Sequence, residues 1–167
     1  VPRGLPGSHS VKEIQESLTR YLDTGLLISP KFDKSLRNGL GDRSGTLKAR
    51  PKVLILEGWF LGCLPSNHPN FLTDTSIDKL IPPLSEEEKR FRETVQMNLY
   101  NYMPIWQILN RVWHLKASDF SFTSTWKVEQ EKNLLRTHGS SLKGLGLDSF
   151  IRMIKASLPQ KCLQNID

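Results

Sequence analysis

The feature that most constrains this fold is a continuous apolar run, Val-Leu-Ile-Leu at residues 53–56, followed at once by Glu57 and Gly58. Such a run is typical of a strand that is buried on both faces of a parallel sheet. In open α/β sheets, ligands bind beyond the carboxyl ends of the strands. A carboxylate at that place can hold Mg²⁺, directly or through water, beside nucleotide phosphates. We therefore expect Glu57 at a ligand site; the alternative is a strand end that only meets solvent.

A helix is predicted before this strand, over about residues 11–23, because apolar residues recur there at helical spacing. Ser10 and Glu13 form a predicted capping box, in which each side chain satisfies a backbone N–H of the first turn. Gly25 lies where a helix typically stops.

Further elements are predicted after the strand. Ser85 and Glu88 form a second capping box, which opens a helix that Pro104 should end or kink. The apolar side of this helix comprises Phe91, Val95 and Leu99. The remaining predictions are a strand at Arg111 to Leu115 and helices at about 124–137 and 148–158. Helices that alternate with apolar strands predict an α/β layered domain.

The first third of the chain is basic. Residues 1–52 hold ten Lys and Arg against five Asp and Glu, whereas residues 53–167 hold thirteen against twelve. A short apolar run, 26–28, is ended by Pro30, and residues 31–52 are predicted to be a long polar loop. Loops of this length are usually functional or disordered. A local positive field attracts phosphates, nucleic acid or acidic metabolites, although a solvated basic face has the same composition.

Several classes of protein are disfavoured by composition. No apolar run approaches the roughly 20 residues that span a bilayer, so we expect no membrane association. The two cysteines and four histidines lack the close pairing of a zinc site, and no disulfide is expected, which suits a reducing compartment such as the cytoplasm. A nucleic-acid partner is disfavoured, because aromatic residues are not interleaved with the basic ones as a base-stacking platform requires.

The N-terminal residues form a second candidate site. Arg3, Gly4, Gly7, Ser8 and His9 lie in a turn-rich loop directly before the first predicted helix. Glycines let a backbone approach a ligand closely, and the start of a helix offers free N–H groups to an anion. A structural turn that feeds a capped helix is the alternative.

Three segments in one order carry a resemblance to a known family: Arg-Gly-x-Pro-Gly-Ser-His, then Phe-Asp-Lys-Ser with Gly-x-Gly-Asp-Arg, then Val-Leu-Ile-Leu-Glu-Gly-Trp-Phe-Leu-Gly. They resemble the D-glycerate 3-kinase family of plants and cyanobacteria, relatives of uridine kinase, phosphoribulokinase and pantothenate kinase. Further likeness is seen in Asn98-Leu99-x-x-Tyr102 and in Trp-Lys-Val-Glu-Gln-Glu at 126–131, and it spans almost the whole chain.

The resemblance implies a three-layer P-loop NTPase-like fold, with a parallel sheet flanked by helices and incomplete at both ends. It also implies transfer of phosphate from ATP, with Mg²⁺, to a small hydroxy acid such as D-glycerate. Residues 1–52 would supply acceptor-site loops and a helix, 53–64 the Walker-B-like strand and turn, and 65–167 the helical and lid region. Glu57, which would also hold Mg²⁺, and Asp42 would be the catalytic carboxylates. The acceptor would be bound by Arg3, Gly4, Gly7, Ser8, His9, Lys34, Ser35 and Arg43, and the lid would contain Lys127 and Gln130.

Three departures from the family pattern qualify these expectations. No Gly-x-x-x-x-Gly-Lys-Ser/Thr loop, which would hold the ATP phosphates, occurs in these residues, so we expect the interior of a longer protein that is inactive as this chain alone. Ser10 stands where the family usually has aspartate, and serine cannot act as a general base. Lys127 replaces an arginine and loses its planar fork of donors. A degenerate relative that binds a metabolite or partner without catalysis is the alternative.

Overall fold

A computed structural model of the chain describes residues 4–37, 41–66, 80–119, 121–138 and 145–158. Five helices and two strands lie in these ranges. In chain order they are α1 (Val11–Thr24), β1 (Leu27–Asp33), β2 (Asp42–Ala49), α2 (Glu86–Tyr100), α3 (Met103–Ile108), α4 (Ser121–His138) and α5 (Leu145–Ser157). None of the helices described is both long enough and apolar enough to cross a bilayer.

The core lies where α1, α2 and α3 meet the N-terminal loop and the C-terminal end of α5. The predicted apolar side of α2 is confirmed: Val95 and Leu99 are fully buried, and Phe91 packs against them. Other members of the buried cluster come from loops and the remaining helices: Leu5, Leu18, Phe60, Cys63, Tyr102, Ile105 and Leu158. Loop residues thus form an integral part of the core, which fixes the position of both candidate sites relative to α2.

The capping predictions have different outcomes. The Ser85–Glu88 box is present at the start of α2, with both of its reciprocal hydrogen bonds. Gly25 ends α1 in the left-handed conformation, and its N–H donates to the carbonyl of Tyr21. The Ser10–Glu13 box is wrong, because the Ser10 side chain makes no capping hydrogen bond and Glu13 pairs with Arg43 instead. Charge attraction from a distant strand outcompetes the local cap.

The polar loop predicted over residues 31–52 is wrong, because half of it belongs to a two-stranded antiparallel ribbon. Strand β1 runs through Pro30, and β2 pairs with it along its length, with a bulge between Lys31 and Phe32. Strand β2 is almost entirely exposed and β1 is at most half-buried, so the ribbon is held mainly by backbone hydrogen bonds. Its base is fixed to α1 by hydrogen bonds from Arg50 to the Thr24 carbonyl and from Tyr21 to the Pro51 carbonyl.

The predicted parallel sheet is not present within the described ranges, where the single sheet is the β1–β2 ribbon. Residues 52–58 and 109–117 contain no strand, so both core-strand predictions are wrong. Val53 and Ile55 are 74% and 75% exposed, while Leu54 between them packs against the core. A strand needs a hydrogen-bonded neighbour, and no described residue supplies one to either segment. The coarser prediction of a mixed α/β chain is confirmed.

An ion pair joins α2 to α5. The guanidinium of Arg152 binds the carboxylate of Glu88 through two hydrogen bonds, of 2.6 and 2.9 Å. These bonds, and that from the backbone of Ser85, lower the pKa of Glu88 from its ordinary 4.5 to about 2. Because the folded pKa lies below the unfolded one, this pair stabilises the protein above pH 4.5 and loses its contribution as the pH falls toward 2.

Replacing Arg152 with methionine is expected to lower the free energy of unfolding at pH 7 by about 1 kcal/mol, the value of a partly exposed, two-bond ion pair. Urea unfolding at pH 7 and at pH 3 measures it, and the difference from the wild type should shrink at the lower pH. Arg136→Met, which removes an exposed arginine of α4, is the matched control. A difference that is equal at both pH values would show that Arg152 acts through its packing and its hydrogen bond to the Pro83 carbonyl, and not through Glu88.

Candidate functional site

The N-terminal loop is a compact turn seated on α2. The Gly4 N–H donates to the Ser8 hydroxyl, which donates to the carbonyl of Leu5. Gly7 has a φ of +96°, and a Cβ at this position would lie 2.8 Å from Cγ of Asn98. Glycine is therefore required at position 7 both by its backbone conformation and by the proximity of α2. Arg3, which was predicted to bind the acceptor, lies outside the described residues.

His9 projects from the end of this loop beside Tyr102. Its Nδ1 lies 2.9 Å from the Tyr102 hydroxyl oxygen, and the Gly7 N–H donates to the same oxygen over 3.2 Å. Partial burial lowers the pKa of His9 below 6.5, so the imidazole is neutral at pH 7. Desolvation raises the pKa of Tyr102, so its phenol keeps its proton. This part of the site therefore carries neutral hydrogen-bonding groups.

The turn that follows Glu57 contacts this loop. The indole Nε1 of Trp59 donates to the Gly4 carbonyl over 2.8 Å. Phe60 is buried between His9 and Tyr102, with ring centroids 5.8 and 5.2 Å away. The two segments predicted from sequence to form one site, the N-terminal loop and the Glu57 turn, are thus held together.

A groove of about 1300 Å³ runs beside this turn. Its walls are the extended segments 52–58 and 109–117, the C-terminal half of α1, and the facing sides of α4 and α5. Exposed apolar side chains dominate it, among them Val53, Ile55, Trp113 and Leu115, the last two being 81% and 96% exposed. The groove also contains four charged side chains, Lys52, Glu57, Arg111 and Lys127, and one histidine, His114.

Both predicted lid residues line the same groove as Glu57. Lys127 and Gln130 lie on α4, and the Lys127 ammonium donates to the Gln130 side chain over 3.0 Å. The same ammonium pairs with the buried carboxylate of Glu131 at 2.7 Å and lies 5.1 Å from the centroid of the Phe150 ring. In this structure Lys127 therefore neutralises a buried charge of its own helix.

The remaining predicted site residues lie on the ribbon and do not line the groove. Lys34 and Ser35 are in the exposed turn after β1, where Ser35 donates both its N–H and its hydroxyl to Asp33. Asp42 begins β2, and its carboxylate accepts a hydrogen bond from the Arg43 N–H. Arg43 extends to Glu13 on α1. Of these contacts, only the pair of Arg43 with Glu13 joins the ribbon to a helix, and the structure does not bring the four residues together with Glu57.

Among the residues that the structure describes, no three His, Cys, Asp or Glu side chains converge as metal ligands. Glu57 therefore suits Mg²⁺ only as one ligand among phosphate oxygens and water. Mg²⁺ commonly binds in this way, keeping several waters and taking one or two carboxylates beside a substrate phosphate.

Sequence comparison identifies relatives of the chain. It is 28% identical over 169 residues to the probable ATP-dependent kinase TDA10 of Saccharomyces cerevisiae, a match that takes in 89% of this chain and 52% of that protein. It is also 28% identical over 174 residues to the kinase mug58 of Schizosaccharomyces pombe, covering 95% of this chain and 57% of that one. The chain is a relative of ATP-dependent kinases. It spans about half the length of these relatives, and no family model matches it.

Solved structures extend this kinase relationship to the fold. D-glycerate 3-kinase from Cryptococcus neoformans superposes with a TM-score of 0.73 at 22% identity, over 96% of this chain and 58% of that chain. The YGR205w protein gives a TM-score of 0.69 at 25% identity, over 96% of this chain and 56% of that one. The resemblance to glycerate kinases predicted from sequence is confirmed.

In this kinase relative, sequence reasoning missed two residues of the site, Tyr102 and Trp59. Tyr102 was assigned to a helix and Trp59 to a motif, and neither was given a role. One signal was available for both: a buried tyrosine hydroxyl or indole N–H requires a hydrogen-bond partner, and loops rich in glycine supply such partners from their backbone. The partners themselves, Gly7 and Gly4, are 95 and 55 residues away in sequence.

Proposed function

We propose that the chain is part of an ATP-dependent kinase that transfers a phosphoryl group to the hydroxyl of a small hydroxy acid such as D-glycerate. The observation that carries this proposal is the hydrogen bond from Trp59 to the Gly4 carbonyl, which joins the loop proposed to bind the acceptor to the turn after Glu57. Kinases catalyse largely by positioning and charge stabilisation, so both segments must be fixed relative to each other.

In this proposal each side chain has a limited role. Glu57 binds Mg²⁺, directly or through water, and this ion neutralises phosphate charge when ATP-Mg²⁺ is bound. The loop from Gly4 to His9 orients the acceptor. Lys127 and Gln130 close over the groove from α4. Lys34, Ser35, Asp42 and Arg43 line no part of the groove, so they are given no step.

The loop that holds the ATP phosphates is proposed to come from polypeptide that these residues do not include. No Gly-x-x-x-x-Gly-Lys-Ser/Thr motif occurs among the 167 residues, and the matched kinases are nearly twice as long as the matched region. We propose that strands of this nucleotide-binding portion fill the groove between segments 52–58 and 109–117. The exposed pairs Val53 with Ile55 and Trp113 with Leu115 show the spacing of two residues that one face of a strand presents.

A chimera tests the proposal. The portion of D-glycerate 3-kinase that this chain does not match is joined to the 167 residues, and ADP production is measured with ATP, Mg²⁺ and D-glycerate. We expect turnover by the chimera and none by either part alone. Turnover by the 167 residues alone would contradict the proposed division of the site.

The specific observation behind a second candidate function is Ser10, which replaces the usual aspartate and whose hydroxyl makes no capping bond. A folded chimera that binds D-glycerate without producing ADP would favour a non-catalytic, metabolite-binding relative. A folded chimera that neither binds nor turns over D-glycerate would reject D-glycerate as the acceptor.

A further inference from the structure

The hydroxyl of Tyr102 is a polar group placed inside the core. Tyr102 is 3% exposed and packs against Phe60 and Trp106, with ring centroids 5.2 and 5.8 Å away. A buried hydroxyl is costly unless its hydrogen and its oxygen both have partners. The partners available here belong to the N-terminal loop, 93 to 95 residues away in sequence.

The direction of the hydrogen bond between Tyr102 and His9 follows from what the Tyr102 hydroxyl can accept and donate. A phenol oxygen accepts up to two hydrogen bonds and donates one. One accepting position is used by the Gly7 N–H at 3.2 Å, and the buried hydroxyl hydrogen itself needs an acceptor. The hydroxyl hydrogen is then available for Nδ1 of His9, 2.9 Å away. If Nδ1 accepts this hydrogen, the proton of the neutral ring must be on Nε2.

We propose that Tyr102 is a positioning residue whose hydroxyl fixes His9 as the neutral tautomer that presents Nε2–H to an anionic oxygen of a bound ligand. His9 itself lies at the surface, and Phe60 and Tyr102 pack around its ring at 5.8 and 6.0 Å between centroids. These contacts and the hydrogen bond at Nδ1 restrict the ring to one orientation. A neutral donor at a fixed position binds a carboxylate or phosphoryl oxygen without adding a charge.

This inference rests on the proposed function only for the source of the anionic oxygen, which would be the carboxylate of the hydroxy acid. The same tautomer decides whether His9 could act as a base in place of the aspartate that is absent at position 10. An imidazole with its proton on Nε2 and its Nδ1 occupied cannot accept the proton of an attacking hydroxyl. His9 therefore binds the acceptor and does not replace the aspartate that Ser10 has displaced.

The tautomer is measured without any ligand by long-range ¹H–¹⁵N NMR on the full chain above the pKa of His9, with His9→Gln identifying its signals. We expect one pyrrole-type nitrogen at Nε2 and one pyridine-type nitrogen at Nδ1. A proton on Nδ1, or averaging of the two nitrogens, would overturn the proposal. This result does not depend on kinase activity, so it can fail or succeed separately from the proposed function.

Ligand titrations identify the source of the oxygen. D-glycerate and inorganic phosphate are added in separate titrations, and the Nε2–H signal of His9 is followed. A shift with D-glycerate supports a carboxylate as the ligand, and a shift with phosphate alone supports a phosphoryl oxygen. If neither changes the signal, the anion-binding role is overturned.

In Tyr102→Phe, the affinity for the anion that shifts the His9 signal should fall by about tenfold, the usual effect of one lost hydrogen bond. The ¹⁵N shifts of the two His9 ring nitrogens should also move closer to their average. Tyr100→Phe removes a hydroxyl at the end of α2, two residues before Tyr102, and should change neither property. Unchanged affinity and an unchanged tautomer in folded Tyr102→Phe would show that Tyr102 is only structural.

Discussion

Replacing Glu57 with glutamine is expected to lower kcat of the active chimera by about 100-fold or more, because a metal-held charge at phosphoryl transfer contributes several kcal/mol. Glutamine keeps the size of the side chain and removes only its charge. Glu57 is exposed at the groove, so the substitution should leave the fold intact. The measurement is kcat at saturating ATP over a range of Mg²⁺ concentrations, where a higher Mg²⁺ requirement identifies the metal as the cause.

The matched control for this change is Glu16→Gln, which removes an exposed carboxylate of α1 whose partner is Lys12 at 3.9 Å. It should leave kcat and the Mg²⁺ requirement unchanged. If Glu57→Gln retained full activity, the Walker-B-like role of Glu57 would be refuted, and the strand-end alternative drawn from the sequence would be correct.

The helices could be predicted from sequence because their signals are local. The apolar side of α2 and its capping box lie within one segment, and both are present in the structure. The capping box of α1 failed for a physical reason that sequence does not show. Glu13 has a second possible partner, Arg43, and the fold brings this arginine close from 30 residues away.

The ribbon and the extended segments show two ways in which an apolar sequence pattern fails to predict a strand. Strands β1 and β2 form although most of their residues are exposed, because their backbones satisfy each other, so apolar residues mark only the start of β1. The run at residues 53–56 has the pattern of a core strand but no paired neighbour within the described ranges. Apolar composition predicts that a segment suits burial, and only the rest of the fold determines whether it is buried.

For the candidate site, the sequence predicted which residues line it better than which residues contact each other. The N-terminal loop and Glu57 were found from local patterns and the lid residues through the resemblance, and the structure places Glu57, Lys127 and Gln130 on one groove. Tyr102 was missed because its role depends on long-range hydrogen bonds to the loop. The roles of the ribbon residues Lys34 and Asp42 stay predictions.

Lys127→Met is expected to lower the free energy of unfolding by about 2–3 kcal/mol, because it removes the cation from a buried carboxylate. The side chains of Lys127 and Glu131 are 21% and 7% exposed, so water compensates only part of the lost interaction. Urea unfolding at pH 7 measures the effect. Lys132→Met, an exposed neighbour on α4, should change stability little.

The double variant Lys127→Met with Glu131→Gln separates charge from packing. Removing both charges should recover most of the lost stability, since replacing a whole buried pair costs far less than breaking it. If the double variant were no more stable than Lys127→Met, the lysine would stabilise α4 through its contact with Phe150 instead. Recovery would mean that Lys127 is held at its place by the Glu131 charge, so binding a phosphate through Lys127 would first require this ion pair to break.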